Sequence, residues 1–247
     1  MSFSTLKKLR VILRYALQCV LGFALYGTSV AFAALPDSVQ ASYDIFKSGI
    51  PIGRIEETYT RDQDRYTLSS ITTPVGLLAI FKPEKIFIQS KGLINPQGLQ
   101  PLLFEHKRER DDSKDNRAKF DWQDKRLTLL HHQQRDTVDL PDGTQDRLSA
   151  MYQFMFLNLQ PNTSLDFPMT NGSKLDRYHY AVSGPIKLGT PAGELDTLYL
   201  DSQAKPGESR TEIWLSTQYH NLPCKMIITD SHGDQLIQVL NKFILQP

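Results

Sequence analysis

From Tyr43 to Phe243 turn signals cut the chain at short intervals: Ser48-Gly49, Asn95-Pro96, Asp142-Gly143, Asn171-Gly172, Ser183-Gly184-Pro185, Ala192-Gly193, Pro206-Gly207 and His232-Gly233. Most segments between the cuts alternate apolar and polar residues with a period of two, the period of a strand half-buried on one face. Ala118, Phe120 and Trp122 share one face, and Lys119, Asp121 and Gln123 the other. The next segment sets Leu127, Leu129 and His131 against Arg126, Thr128 and His132. Residues 66–73, 85–90, 210–216, 224–230 and 235–243 also read as strands. Strands joined by such short connections pair antiparallel.

Two segments depart from clean alternation. Met226-Ile227-Ile228 and Leu236-Ile237 carry apolar groups on both faces. Such strands need cover on both sides, from a curled sheet, a second sheet or a helix. Residues 147–159, RLSAMYQFMFLNL, supply a helix: Leu148, Met151, Tyr152, Met155 and Leu159 make one apolar stripe at helical spacing. Asp146 is placed to cap its start and Pro161 to stop the chain after its end. The fold class expected is mainly β: a long twisted antiparallel sheet curling into a half-barrel or barrel. The amphipathic helix packs on its concave side, an arrangement that leaves few exposed edges.

The first 33 residues follow a different rule. Lys7, Lys8, Arg10 and Arg14 precede an apolar run from Tyr15 to Ala34, no acid occurs before Asp37, and Ala31-Phe32-Ala33 forms a small-residue site. This is the pattern of a secretory signal cleaved before Ala34. The alternative is an uncleaved inner-membrane anchor, since the run is close to the ~20 residues that span a bilayer. Gln18, Gly22, Gly27, Thr28 and Ser29 weaken that reading, and Gln18 before Cys19 argues against a lipidation site. The organisation expected is therefore a signal peptide, residues 1–33, and a single periplasmic domain, residues 34–247. Cleavage removes four of the 28 basic residues and no acid, leaving 24 against 27, a net charge of −3. That balance offers no field for nucleic acid. Only Cys224 remains, so packing and not an internal disulfide must hold the domain together.

Motifs for chemistry are sparse. His131-His132 sit on opposite faces of a regular strand and cannot both ligate one ion from it; His106, His179, His220 and His232 show no ligand spacing. No metal and no cofactor is expected. Glu56-Glu57 and Asp111-Asp112 are neighbours that diverge in an extended chain. Cys224, in LPCKMII, reads as a buried structural thiol. The charged stretch from His106 to Lys119 nearly cancels in sign and lacks aromatics, as a solvated hairpin would. The uncharged run from Pro74 to Pro83 reads as core or as a flap over a cavity, and Met151 and Met155 as core filling or the lining of an adaptable pocket.

Several blocks carry a resemblance over nearly the whole exported part. They are YDIFKSGIPIGRIEETY, RYTLSS with GLLAIF, SKGLINPQGLQPLLFEHKRER, AKFDW, LPDGTQDRLSAMYQF and TEIWLSTQYHNLPCKMIITDSHGDQL. In that order they resemble a family of exported proteobacterial proteins known as a domain of unknown function. The resemblance implies a signal peptide and a β-rich fold, and no activity or catalytic residue. A looser likeness, at the level of fold alone, is to half-barrel lipoprotein carriers, whose curved sheet is closed by a helix over an apolar cavity.

The function expected from these readings is that of a non-enzymatic envelope protein binding an apolar small molecule, a lipid or an envelope protein partner. Phe120, Trp122, His131, Met151 and Met155 are the expected lining of its cavity. One alternative is a hydrolase or lyase with a site around His131 and Asp121, which alternation places on opposite faces unless a bulge intervenes. Another is a structural subunit of an envelope assembly, to be marked by an exposed apolar patch or a long unpaired edge. Membrane contact follows only if the leading segment stays uncleaved.

Overall fold

The computed structural model describes residues 35–205 and 207–247; the expected signal peptide, residues 1–33, lies outside them. Fifteen strands follow in chain order. The first eight are β1 (Ser38–Lys47), β2 (Ile50–Asp62), β3 (Arg65–Pro74), β4 (Ile86–Asn95), β5 (Gly98–Arg108), β6 (Asn116–Asp121), β7 (Arg126–His131) and β8 (Gln134–Asp139). The rest are β9 (Gln145–Asp146), β10 (Thr163–Thr170), β11 (Leu175–Thr190), β12 (Gly193–Asp201), β13 (Arg210–Ser216), β14 (Leu222–Thr229) and β15 (Gln235–Gln246). All belong to one sheet in the order 8-7-6-5-4-3-2-1-15-14-13-12-11-10-9. Neighbours are antiparallel except β9 and β10, a short parallel bridge.

This order forces the sheet to curl. The two edges, β8 and β9, are consecutive in sequence, with only residues 140–144 between them. A flat sheet of this strand count would separate its edges by about 67 Å at the ordinary interstrand spacing. The connection spans at most about 22 Å when fully extended. The mainly β, curled antiparallel sheet read from the sequence is thus the observed architecture. Edge strand β8 is almost wholly exposed and carries Arg135, Asp136 and Asp139, charges that discourage pairing with another sheet.

One face of the sheet is buried along its length. Val39, Tyr43, Tyr59, Leu68, Phe104, Ala118, Leu127 and Leu129 form a core on the N-terminal arm, and Tyr180, Val182, Leu198, Leu200, Ile213 and Leu215 form a second on the C-terminal arm. A short helix, α2 in chain order after α1 (Gly76–Phe81), joins them. It runs over Ser149–Gln153 and continues as a 3-10 turn, Phe154–Phe156. Leu148, Tyr152 and Met155 pack into the first core, Phe154 into the second, and Met151 touches both.

The helix is shorter than residues 147–159, for reasons set by its neighbours. At its start Asp146 pairs with Thr170, and the Arg147 N–H donates to the Thr170 carbonyl at 3.0 Å, which keeps both in the sheet. At its end Asn221 Nδ2 donates to the carbonyls of Phe154 and Leu157 at 3.1 and 2.9 Å, and Leu157 turns extended. The carbonyls that a longer helix would use internally are taken by another strand connection.

The run from Pro74 to Pro83 is not core. It forms α1, which buries no residue and leaves Leu77, Ile80 and Phe81 at 70, 72 and 78 % exposure. These three fall at i, i+3 and i+4, so the apolar stripe faces solvent. Replacing all three with serine is expected to change the unfolding free energy by less than about 0.5 kcal/mol in urea denaturation, because no buried contact is lost. A loss of about 2 kcal/mol or more would mean that the helix is packed.

His106 to Lys119 is the β5–β6 hairpin, tipped by a 3-10 turn, Asp112–Lys114. Cys224 is buried and free, its thiol pushed up to about 12 by burial. Among the described residues no helix is long and apolar enough to cross a membrane.

Candidate functional site

The concave side of the sheet is organised by residues 145–157. Asp146 caps α2 through a reciprocal arrangement: its Oδ1 accepts the N–H groups of Leu148 and Ser149 at 2.9 and 2.8 Å, and Ser149 Oγ accepts the Asp146 N–H at 2.9 Å. Ser90 Oγ on β4 donates to Asp146 Oδ2 at 2.5 Å and is itself bonded to the Tyr66 hydroxyl. Gln145 Nε2 donates to the Leu99 carbonyl at 2.8 Å. Gln153 then clasps the β4–β5 turn: its Oε1 accepts the Leu99 N–H and its Nε2 donates to the Gln97 carbonyl, both at 2.7 Å. Gly98 permits this approach, since any side chain there would collide with the Gln153 amide.

A cleft of about 480 Å³ opens on one side of α2. Leu99, Trp122, Phe154, Leu157, Leu165 and Phe167 form its apolar walls, with Gln97, Lys125, Asp142 and Asp166 among its polar lining. The walls come from both arms of the sheet, so curling makes the cleft. Trp122 is held by its indole N–H, which donates to the Pro101 carbonyl at 2.7 Å, and by stacking on Phe120 at 6.1 Å.

A second feature lies on the other side of α2. Strand pairing aligns Glu57, Ser70, Ile88, His106, Asn116 and His131 in one transverse row across six strands. Directly paired residues share a face, so this row runs over the concave surface. Ser70 Oγ donates to Glu57 Oε1 and the Tyr152 hydroxyl to Glu57 Oε2, each at 3.2 Å. Burial nevertheless pushes the Glu57 carboxyl up to about 7, the two hydrogen bonds and Arg147 only partly opposing it. His106 is pushed down to about 4 by burial and by the charges of Arg147 and Arg108. Arg147 lines a small well of about 70 Å³ together with Glu57 and Met151.

A family model for proteins of unknown function, DUF3108, matches residues 40–239. The chain belongs to this family. The family match agrees with the resemblance carried by the sequence blocks. No curated protein matches the chain in sequence. Among solved structures, a beta-barrel-like protein of the domain of unknown function DUF1849 from Brucella abortus is similar at TM-score 0.55 and 14 % identity, covering 86 % of this chain and 99 % of that one. This likeness supports a shared barrel-like fold for this DUF3108 chain. A Parabacteroides distasonis protein described as a lipoprotein has TM-score 0.38 and 9 % identity, over 85 % of this chain and 97 % of its own. A Bacteroides fragilis protein described as exported, with a YmcC-like fold, has TM-score 0.35 and 8 % identity, over 85 and 96 %.

The five residues expected to line a cavity are placed differently from one another. Trp122 lines the large cleft and Met151 the small well. Phe120 and Met155 are core residues, each 6 % exposed: Phe120 stacks on Trp122, and Met155, in the 3-10 turn after α2, packs into the first core. His131 ends β7 and pairs its Nδ1 with Asn116 Oδ1, away from both cavities. The divergence expected of His131 and His132 fails, because His132 leaves the strand with a φ of +48° and the two rings lie 3.9 Å apart. Among the described residues no three His, Cys, Asp or Glu side chains stand together as a metal site requires. Asp121 and His131 occupy opposite ends of the β6–β7 hairpin, about 17 Å apart along the strands, so no bulge unites them.

Glu57 and Arg147 were absent from the expected lining. The signal for Glu57 was its own strand: Ile55, Glu57 and Tyr59 share a face by alternation, placing an acid between two apolar residues. Arg147 gave no such signal, because its position depends on the bridge between β9 and β10.

Proposed function

We propose that this DUF3108 protein acts outside the cytoplasm as a binding protein, holding an apolar or amphiphilic small molecule in the cleft beside α2. The cleft carries the reading: its volume of about 480 Å³ falls within the range of small-molecule sites. Its aromatic and aliphatic walls suit the apolar part of such a ligand, and the polar side chains that share the lining, among them Gln97, Lys125, Asp142 and Asp166, suit a polar group on it. The leading basic and apolar segment supports the location, by the logic of secretory signals. Pre-assembly supports binding further. Gln153 and Asn221 fix α2 to turns on both arms, so the cleft walls need little ordering when a ligand enters.

Mass spectrometry of protein purified gently from periplasm tests the reading, with a co-purifying lipid or other apolar molecule expected. Its repeated absence counts against the proposal. Fluorescence provides a second measurement, because Trp122 lines the cleft while Trp214 lies under the Lys225 ammonium elsewhere. Decanol is expected to shift the emission of the native protein and not that of Trp122→Phe. An equal response from the variant would place the ligand outside the cleft.

A further inference from the structure

We propose that Arg147 anchors a second site, an oxyanion-binding well on the opposite side of α2 from the cleft, which takes a carboxylate or phosphate group.

Among the described residues the Arg147 guanidinium has no hydrogen-bond or ion-pair partner, although its backbone is tightly fixed. The Arg147 N–H is held by the Thr170 carbonyl, and the flanking Asp146 and Leu148 are buried. The side chain is solvent-accessible, yet protein surrounds it closely enough for burial to lower its proton affinity. It lines the small well on the concave face together with Glu57, Met151 and Met226, where a ligand from solvent can reach it.

The acids nearest in charge are already occupied. Asp146 accepts from Leu148, Ser149 and Ser90, and Glu57 accepts from Ser70 and Tyr152. Neither lies within ion-pair distance of Arg147, so the guanidinium keeps its full set of donors. A guanidinium cannot shed its charge at neutral pH, and its planar fork matches the two oxygens of a carboxylate or phosphate. The well of about 70 Å³ has room for one such group and not for an acyl chain. Met151 and Met226 on its wall would meet the first carbons of an amphiphile whose head enters it.

The surroundings predict a pH dependence. Glu57 faces Arg147, Tyr43, Tyr152 and Ser70; Arg147 faces Glu57, Asp146, Tyr178 and His106. Lys225 also borders the well, but its ammonium lies 4.8 Å from the centre of the Trp214 ring. Glu57 ionises near pH 7, and above that its negative charge competes with an incoming anion.

Isothermal titration at pH 6 and pH 8, with acetate, inorganic phosphate, decanoate and decanol as probes, tests the site. Decanoate is expected to bind at least tenfold tighter than decanol at pH 6, and Arg147→Gln to abolish that difference. Acetate or phosphate binding that is lost in Arg147→Gln would assign the well to free anions, while binding of decanoate alone would assign it to an amphiphile head; either supports the site. The proposal is overturned if no anion binds, or if Arg147→Gln keeps its anion affinity within twofold. Glu57→Gln supplies a test independent of the folding of that variant: anion affinity at pH 8 is expected to rise severalfold and at pH 6 to stay unchanged. An unchanged affinity at pH 8 would also overturn the proposal. The Trp122 response to decanol reports the cleft alone, so the two sites can fail separately.

Discussion

Asp146→Ala is expected to lower the unfolding free energy by about 4 kcal/mol, the largest loss foreseen for any polar residue here. The carboxylate accepts two backbone N–H groups at the start of α2 and the Ser90 hydroxyl on β4. Each buried donor left without an acceptor costs about 1–3 kcal/mol. Asp146 thus ties the helix start to the opposite arm of the sheet, and its removal loosens both. Asp146→Asn keeps an oxygen for the two N–H groups and is expected to cost only about 1–2 kcal/mol. Guanidinium denaturation of the three proteins measures the series. An alanine variant within about 1 kcal/mol of the parent would show that α2 does not depend on this tie.

The second large effect is on the pH dependence of stability, where Glu57 and His106 act with opposite signs. Glu57 rises from 4.5 to about 7 on folding. Between those values the folded protein holds a proton that the unfolded chain has lost, so stability falls as pH rises. His106 drops from 6.5 to about 4. Between pH 4 and 6.5 the unfolded chain holds the extra proton, so stability rises with pH. The two slopes oppose one another from about pH 4.5 to 6.5. Glu57→Gln is expected to expose the rising slope of His106, and His106→Asn the falling slope of Glu57. Each spans about 2–3 kcal/mol at most, reduced by the water that reaches the concave face. Above pH 7 Glu57→Gln is expected to be more stable than the parent by about 2 kcal/mol. Parallel profiles for parent and variants, from thermal or urea unfolding between pH 4 and 8, would mean that neither group is perturbed.

The residues missed by sequence reasoning show where one-dimensional patterns lose information. Alternation assigns Glu57 and His106 to inward faces, since each lies at the same parity as buried neighbours such as Tyr59 and Phe104. It does not reveal that Glu57, Ser70, His106, Asn116 and His131 fall in one row, because register between strands depends on turn lengths and bulges. One such bulge lies between Lys91 and Gly92 in the β4–β5 pair. Arg147 is less legible still. Helical spacing counted it as the first residue of a helix, whereas the β9–β10 bridge holds its backbone in the sheet.

The run from Pro74 to Pro83 gives the converse lesson. Low charge and high hydrophobicity suggested burial, but the run sits between two strands paired with each other, β3 and β4, and must cross outside their ladder. Its apolar stripe consequently points to solvent. The Met151 and Met155 pair separates for a related reason: at i and i+4 both face the sheet, but one lies over the well and the other over packed side chains.

The sequence by itself determined the strand content, the antiparallel pairing of neighbours, the helical segment that packs on the concave side and the family. Each depends on local spacing: a period of two, a period near 3.6, or turn residues at fixed places. Only the tertiary structure decided that the concave side is partly hollow and that Arg147 and Glu57 line the same well there. A hollow is a property of distances between residues far apart in the chain, set when a five-residue connection draws the two sheet edges together. The same apolar faces could have closed on themselves; the clasp of α2 by Gln153 and Asn221 leaves the cleft beside it.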